Sequence, residues 1–456
     1  MGSGTRASTT KWLTAALAAA ALIRLALIVH AETGGAFALG DGRFYIELGR
    51  SLAAGHGLSI SADLLNVDPR RGEWAVALME RWRSTGLWDF VVPGRPTAFV
   101  MPLYPLFVGG VFALFGPHTL AVRLVQLVFG LAIPWLLFEI GRRAFDGRTG
   151  VLAAWGGAFY SFFIFYTASI TNQLFSIIAL LAVTAGYLWY RAKPSYWKAA
   201  VFGLVAGAAF LVRVEAIIPA LAAVAVVGWR EVRARGVARA AAYTGLALAV
   251  GFLAVTPWAV RNASSLGRFS YVSTQGPRVL WEHNVQPFSQ EFGRGDVPGY
   301  YDLYAGLRSK ALPTLKRADL VDMPRFTHEG EFERADILNA RVTSFLRANP
   351  ALYLRMCLIR VTQLVRFESL NFGSWPYKLA YAAYPVALLL GLVGLITSLV
   401  WGPRPRFLYG LVAYAVAVLV FIAYGTAYRA PLDLWLILFA AAGVARISRA
   451  FAGGGR

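Results

Sequence analysis

A small set of polar side chains stands at the ends of long apolar runs. Its members are Asp41, Gln173, Arg213, Glu215, Arg261 and Arg429. A carboxylate can take a proton from a hydroxyl as a general base, and an arginine can hold a phosphate through two parallel hydrogen bonds. Ionisable groups at membrane depth are costly and usually functional. The set therefore predicts a functional site at which acids and cations lie together.

Each of these residues also has a purely structural interpretation. Asp41 could cap a helix, because Asp is common at helix N-termini. Arg213 and Glu215 could snorkel to the interface or pair with each other. What favours a shared site is the topology argued below, which brings the whole set to one face of the membrane.

The composition is that of a membrane protein. The chain has 456 residues, 57% of them hydrophobic, and a mean hydropathy of +0.55. Soluble domains are about 45–50% apolar and seldom repeat apolar runs of about 18 residues or more. We therefore expect an all-α polytopic membrane protein with about 10–12 transmembrane helices and external juxtamembrane helices.

The net charge of +20, from 44 Lys and Arg against 24 Asp and Glu, fits this class. In a membrane protein such basic residues stand in short loops and orient the helices. No basic run alternates with aromatic residues, so nucleic acid is not an expected partner. Cys357 is the only cysteine, which excludes a disulfide within the chain. The five histidines show no metal-ligand spacing, so a zinc site is not expected.

Apolar runs predict the membrane spans. They cover residues 12–31, 120–141, 151–166, 174–190, 199–212, 216–229, 241–260, 380–400, 408–424 and 432–444. The first run could also be a cleaved signal peptide, because Val29-His30-Ala31 resembles a cleavage site. We favour an uncleaved span. Residues 73–83 and 351–367 are typical of helices on the membrane surface.

The apolar run 102–115 either spans the membrane or only dips into it. If it dips in from outside, the clusters of basic residues face the cytoplasm, as the positive-inside rule requires. These clusters are Arg142, Arg143 and Arg148, then Arg191, Lys193 and Lys198, then Arg230, Arg233, Arg235 and Arg239. A full span would invert the pattern. A re-entrant or interfacial helix is therefore favoured, and the loop 262–350 then lies outside.

This topology divides the chain into five parts. Residues 1–31 form the first span, and 32–118 form an external loop that carries the acid. Residues 119–260 form a transmembrane core, 261–375 a second external loop, and 376–456 the C-terminal helices. The two external loops are too long for simple connections, and long loops are often functional.

Short motifs along nearly the whole chain resemble one family. They are Asp41-x-x-x-Tyr45, Arg95-Pro-Thr-Ala-Phe-Val-Met-Pro-Leu-Tyr104-Pro105, Phe210-Leu-Val-Arg213-Val-Glu215, Pro257-Trp258-Ala-Val-Arg261-Asn262, Gly267-Arg268-Phe269, Ser273-Thr274-Gln-Gly276, Asn284 and Tyr428-Arg429-Ala-Pro431-Leu432. Their order resembles the GT-C glycosyltransferases, in the branch of protein O-mannosyltransferases and lipid A aminoarabinose transferases. Each motif alone is weak, whereas the ordered set is specific.

The resemblance implies an inverting hexosyl- or pentosyltransferase. It implies a polyprenyl-phosphate sugar donor, an acceptor hydroxyl on a cell-envelope glycan, lipid or protein, and a site on the outer face of the cytoplasmic membrane. Asp41 carries over as the catalytic base. Arg213, Arg261 and Arg429 carry over as candidate ligands of the donor phosphate. Candidate substrate contacts are Arg43, Tyr45, Tyr104, Gln173, Glu215 and Asn284, although Tyr45 and Tyr104 could instead be interfacial anchors.

The sequence departs from the family at two positions. Many relatives carry a second acid directly after the loop aspartate, where this chain has Gly42, and many carry a Glu where it has Gln173. A divalent metal held by paired carboxylates is therefore disfavoured, and no cofactor is predicted. A second acid, if one takes part, could come from Glu47, Glu73, Glu215 or Glu282.

The main alternative is a lipid or glycolipid transporter or flippase. Such a protein should show internal repeats and helices broken near mid-membrane, and the sequence shows neither. A non-catalytic lipid-binding scaffold is a second alternative. The sequence contains no P-loop, dinucleotide fingerprint or nucleophile elbow. It names neither the sugar nor the acceptor.

Overall fold

The computed structural model describes residues 3–34, 41–60, 91–92, 94–288, 306–307, 309–317, 321–324, 326, 328–365, 375–401 and 404–453. Within these residues the regular structure is helical, and the only strand-like pairing is one antiparallel bridge between Ser59 and Pro96. The predicted all-helical membrane fold is confirmed. The surface helix predicted at 73–83 lies outside the described residues.

The helices before the second long loop form most of the bundle. They are α1 (Ser3–Gly34), α2 (Asp41–Ala53), α3 (Leu103–Phe115), α4 (Thr119–Gly130), α5 (Ala132–Ala144), α6 (Gly147–Phe159), α7 (Ser161–Ala168), α8 (Gln173–Ala192), α9 (Tyr196–Val212), α10 (Ile217–Arg235) and α11 (Val237–Leu266). A 3₁₀ turn, Val214–Ala216, joins α9 to α10.

The remaining helices return to this bundle. They are α12 (Gln275–Asn284), α13 (Glu331–Ala348), α14 (Pro350–Gln363), α15 (Trp375–Trp401), α16 (Arg406–Ala417) and α17 (Thr426–Gly453). A π-helical turn, Val418–Ile422, continues α16. Helix α11 ends where Gly267 adopts a left-handed conformation with a φ of 72°, which glycine reaches without steric cost.

Among the described residues, six helices are long and apolar enough to cross a membrane, and α6 with α7 makes a seventh if a bent pair counts as one span. Each predicted span coincides with one helix or with two consecutive helices. Helix α9 and the segment Arg406–Ile422 are apolar but shorter. Helix α10 ends in Arg233 and Arg235, which suits the loop that the charge pattern assigns to the cytoplasm.

Helix α3 is the run that the sequence left between a full span and a re-entrant helix. It has 13 residues, with Pro102 directly before it and Pro105 in its first turn. At about 1.5 Å per residue it is ~20 Å long, less than the ~30 Å of a hydrocarbon core. Its length therefore supports the interpretation that it does not cross the membrane.

The predicted span 151–166 is bent by 52° where α6 meets α7. Arg24 of α1 is fully buried beside this bend. Its guanidinium donates to the carbonyls of Gly157 and Ala158, both at 3.0 Å. The last carbonyls of a helix have no partner within it, so Arg24 satisfies those that the bend leaves free.

Buried apolar side chains form two main clusters. One fills the bundle between α5, α8, α10 and α17, with Trp435 among its largest fully buried members. The second joins α2 and α3 to α12 and α13, and reaches Phe210 and Trp258 near the C-terminal ends of α9 and α11. The segments of both long loops therefore pack together over one end of the bundle.

Candidate functional site

A cavity of about 620 Å³ lies where both long loops meet the bundle. It is lined by the first turn of α2, segments 99–101, 172–173, 212–215 and 272–276, α12, Asn339, Ile422 and Tyr428. Seven stretches that are separate in sequence thus meet around one space. Both polar and apolar side chains line it, as is usual for small-molecule sites.

The first wall is the N-terminal turn of α2. Asp41 is the first residue of this helix, and its side chain lies outside the part of the chain that the structure describes. Phe44 and Tyr45, one turn later, line the cavity. Gly42 packs against the segment before α8, because a Cβ atom there would lie 3.2 Å from the Ile170 carbonyl oxygen. The start of α2 is therefore held at the cavity edge.

The second wall is the break between α9 and α10. Arg213 has an extended backbone directly after α9, and Glu215 lies in the 3₁₀ turn that follows. Arg213 Nη2 and Glu215 Oε1 are 3.3 Å apart. The guanidinium also lies over the Tyr428 ring, 5.2 Å from its centroid. Since Arg213 lines the cavity, the pair presents a partly neutralised cation to it.

The third wall is formed by Asn172 and Gln173, at the start of α8. Two side chains of α4 hold the backbone shortly before them, at the end of α7. Gln126 donates to the carbonyls of Thr167 and Ser169 at 2.9 and 3.0 Å, and Arg123 donates to Ala168 at 2.8 Å. Next to this fixed segment, Gln173 lines the cavity. Its buried Oε1 atom accepts no hydrogen bond from the described residues.

The fourth wall is α12. The sequence analysis named Asn284 and, as a possible second acid, Glu282 of this helix, but it did not name Arg278 or His283. Arg278 donates to Glu282 at 2.6 Å, and both line the cavity. His283 packs edge-to-face on Tyr428 with ring centroids 5.3 Å apart. Burial, together with the nearby positive charge of Arg360, lowers the pKa of His283 to about 3, so the imidazole is neutral. The i,i+4 spacing of Arg278 and Glu282 after the Ser273–Gly276 motif was the available sequence signal.

A second, apolar crevice adjoins the cavity on its bundle side. It is about 40 Å³ in volume and is lined by α8, by the break between α9 and α10 from Arg213 to Ala216, by α16 with the π-helical turn, and by α17. Four residues line both spaces: Gln173, Arg213, Glu215 and Tyr428. The Arg213–Glu215 pair therefore stands where the larger, partly polar cavity meets the apolar crevice.

Only one of the three predicted phosphate-binding arginines lines the cavity. Arg213 does so. Arg261 donates to the carbonyls of Thr97 and Leu58, at 2.9 and 3.2 Å. Arg429 is buried, lies 3.6 Å from the centroid of the Tyr384 ring and pairs with Asp433 at 3.5 Å. Neither Arg261 nor Arg429 is among the lining residues.

The predicted substrate contacts are also divided. Tyr45, Gln173 and Glu215 line the cavity. Tyr104 stands behind Tyr45, with ring centroids 4.8 Å apart, and its hydroxyl donates to Gln126 at 2.6 Å. Asn284 is fully buried and donates to the carbonyls of Leu280 and Ile422, so it supports the wall. Arg43 is partly exposed on α2 and is not a lining residue.

Metal ligands are not grouped within the described part of the chain. No set of three or more His, Cys, Asp or Glu side chains there could hold a metal ion. Metal-free chemistry remains a prediction.

Comparisons with known proteins identify one matching family model and several solved structures with a similar fold. The family model of the dolichyl-phosphate-mannose-protein mannosyltransferases matches residues 95–260, less than half of the chain. No curated protein shows significant sequence similarity. One similar solved structure is the oligosaccharyltransferase AglB from Archaeoglobus fulgidus in complex with an inhibitory peptide and a dolichol-phosphate. It matches with a TM-score of 0.53 and 11% sequence identity, over 97% of this chain and 52% of that one.

A second solved structure is ArnT from Cupriavidus metallidurans bound to undecaprenyl phosphate. It matches at 15% identity over 95% of this chain and 78% of that one, with a TM-score of 0.45. This chain spans about half the length of the oligosaccharyltransferases that it matches. The resemblance to the GT-C superfamily is confirmed, and the fold is of GT-C type. The transporter alternative is not favoured.

Proposed function

We propose that this protein is an inverting glycosyltransferase of the outer face of the cytoplasmic membrane. It moves a sugar from a polyprenyl-phosphate donor to a hydroxyl of a cell-envelope glycan, lipid or protein. The observation that carries the proposal is the junction at Arg213 and Glu215 between a partly polar cavity and an apolar crevice. A lipid phosphate joined to a sugar needs those two environments on either side of one cation.

In the proposed reaction, the acceptor hydroxyl attacks the anomeric carbon while the bond from that carbon to the phosphate oxygen breaks. Asp41 takes the proton of the hydroxyl. The leaving lipid phosphate gains one negative charge, and Arg213 stabilises it. Charge-assisted hydrogen bonds from preorganised donors are effective at this task because they act where charge develops. The position of Asp41 at the start of α2, one turn before Tyr45, supports its role.

The remaining cavity groups suit a sugar. The volume of about 620 Å³ lies within the ~300–1,000 Å³ usual for small-molecule sites. Gln173 Oε1 is an acceptor without a donor among the described residues, and a sugar hydroxyl can supply one. Tyr45 and the neutral His283 offer further surfaces for hydroxyl and ring contacts. The apolar crevice is the proposed point at which the isoprenoid chain of the donor leaves the cavity.

The test is transfer by the purified protein from a panel of polyprenyl-phosphate sugars. Replacing Asp41 by Asn should lower turnover at least ~100-fold while donor binding is kept, because only the base is lost. Asp336→Asn is the matched control, since this carboxylate is 62% exposed on α13 and does not line the cavity. Equal transfer by Asp41→Asn and wild type would exclude Asp41 as the base. A wild type inactive with every donor would contradict the proposed function.

A further inference from the structure

Glu331 joins the two long loops through one carboxylate. It is the first residue of α13, in the second loop. Its Oε1 atom accepts a hydrogen bond from the Ala98 backbone N–H at 2.9 Å and one from the Thr274 hydroxyl at 2.7 Å. Ala98 belongs to the first loop, 233 residues earlier in the chain. One side chain thus connects three segments that are separate in sequence.

Each of these segments continues directly into the cavity wall. Phe99, the residue after Ala98, lines the cavity. Ser273 and Gln275, on either side of Thr274, also line it, and Asn339 of α13 does so two turns after Glu331. The carboxylate itself is not a lining residue. It lies behind the wall and can act only through the segments that it holds.

The surroundings of Glu331 leave little freedom. Ala98 is fully buried and Thr274 is buried. The Thr274 N–H donates to the Ala98 carbonyl at 3.0 Å, and Arg261 holds the Thr97 carbonyl at 2.9 Å. Burial raises the pKa of Glu331, and the hydrogen bonds with the positive charge of Arg261 offset this only in part. Loss of the carboxylate would leave a buried N–H and a buried hydroxyl without an acceptor, which is destabilising.

We infer that Glu331 is a positioning residue that clasps the two long loops together and thereby sets the shape of the cavity. The expected effect of Glu331 on donor kinetics rests on the proposed glycosyl transfer. Its expected effect on the packing of the two loops does not. An acidic residue in the first turn of a helix also stabilises the helix dipole. Glu333 lies in the same turn and can also stabilise the dipole, but it is exposed. Replacing Glu333 therefore tests the dipole effect without the contacts between the loops.

The experiment compares Glu331→Ala, Glu331→Gln and Glu333→Ala in the full chain. Hydrogen exchange is followed in peptides that cover 94–101 and 272–276, and donor kinetics are measured in parallel. Glutamine keeps an Oε1 acceptor for both bonds. We expect exchange in both peptides at least ~10-fold faster in Glu331→Ala, with a several-fold higher KM for the donor. Glu331→Gln and Glu333→Ala should stay within about 2-fold of wild type.

Two results would overturn the inference. The clasp does not exist if Glu331→Ala leaves exchange in both peptides at the wild-type rate. The clasp does not position the site if exchange rises in Glu331→Ala while KM and kcat are unchanged. If the wild type transfers no sugar, the proposed function fails, and hydrogen exchange still decides whether the clasp exists.

Discussion

Arg213 and Arg429 are side chains of the same type with different roles. Arg213 borders the cavity and shares its charge with Glu215 across 3.3 Å. Arg429 is buried between the Tyr384 ring and Asp433. A cation that faces a cavity is available to a ligand, whereas a cation enclosed by an acid and aromatic rings stabilises the fold. The two arginines should therefore respond differently to the same substitution.

Arg213→Gln should lower kcat/KM for the lipid-linked donor about 100-fold, equivalent to about 2.7 kcal/mol, with little change in thermal unfolding. Arg429→Gln should instead lower the free energy of unfolding by about 3 kcal/mol, because it leaves Asp433 buried without its cation. Donor kinetics and thermal unfolding in detergent measure the two effects. Similar stability losses in both variants would argue that Arg213 is also structural.

Gly42 is the position where many GT-C relatives carry a second acid. A Cβ atom there would lie 3.2 Å from the Ile170 carbonyl oxygen, so any side chain must displace α2 or segment 169–172. A carboxylate would in addition approach the negative end of that carbonyl. The glycine therefore matches the local packing of this chain.

Gly42→Ala and Gly42→Asp should both reduce transfer, with the larger loss for Asp. Gly110→Ala is the matched control: it is also a helical glycine, and a Cβ atom there meets nothing within 4 Å. That substitution should be neutral or stabilising by up to ~1 kcal/mol. Transfer rates and unfolding temperatures of the three variants measure these effects. Higher activity in Gly42→Asp would show that the site accepts a second acid at this position.

At the scale of elements, the π-helical turn after α16 is secured by side chains from two other helices. Its last carbonyls accept hydrogen bonds from Arg360 to Val420 at 3.1 Å, Tyr353 to Phe421 at 2.6 Å and Asn284 to Ile422 at 3.1 Å. Arg360 also donates to Asn284 Oδ1 at 3.0 Å and to the His283 carbonyl at 2.5 Å. Because His283 and Ile422 line the cavity, this network fixes one side of it.

Arg360→Met should destabilise the protein by at least about 2 kcal/mol, because three buried acceptors lose a charged donor. Arg355→Met, on an exposed position of the same helix α14, should change stability little. Thermal unfolding in detergent compares the two. Equal unfolding temperatures would mean that the network adds no stability to the turn.

At the scale of the whole molecule, the charge pattern and the cavity make one joint prediction about orientation. Short loops rich in arginine follow α5, α8 and α10. The cavity lies at the other end of the bundle, where the two long loops meet the C-terminal ends of α9 and α11. If basic loops face the cytoplasm, the cavity faces outward. This orientation requires that α3 does not cross the membrane, as its 13 residues suggest.

Single cysteines in a Cys357→Ser background test this orientation. Glu333→Cys should react with a membrane-impermeant maleimide in intact cells, and Arg233→Cys should react only after permeabilisation. Both positions are exposed in the structure, so access depends on the side of the membrane rather than on burial. The reverse labelling pattern would show that α3 spans the membrane and that the cavity faces the cytoplasm.

The sequence alone determined the helical membrane class of this protein and the positions of its apolar helices. Lipid requires every backbone polar group to be satisfied within a helix, so long apolar runs are sufficient evidence for helices. It also identified Tyr45, Gln173, Arg213 and Glu215, which all line the cavity. Gln173, Arg213 and Glu215 stand where an apolar helix starts or ends, and a polar group at such a place is visible in the sequence.

Only the tertiary structure decided which polar residues share the cavity. Arg261 and Asn284 belong to the same set of motifs as Arg213, yet their partners are the carbonyls of Thr97 and Ile422, at 164 and 138 residues' separation. Arg278 and Glu282 enter the site because α12 packs over the bundle. A hydrogen bond between distant segments depends on how helices cross, and the local pattern of residues does not encode that geometry.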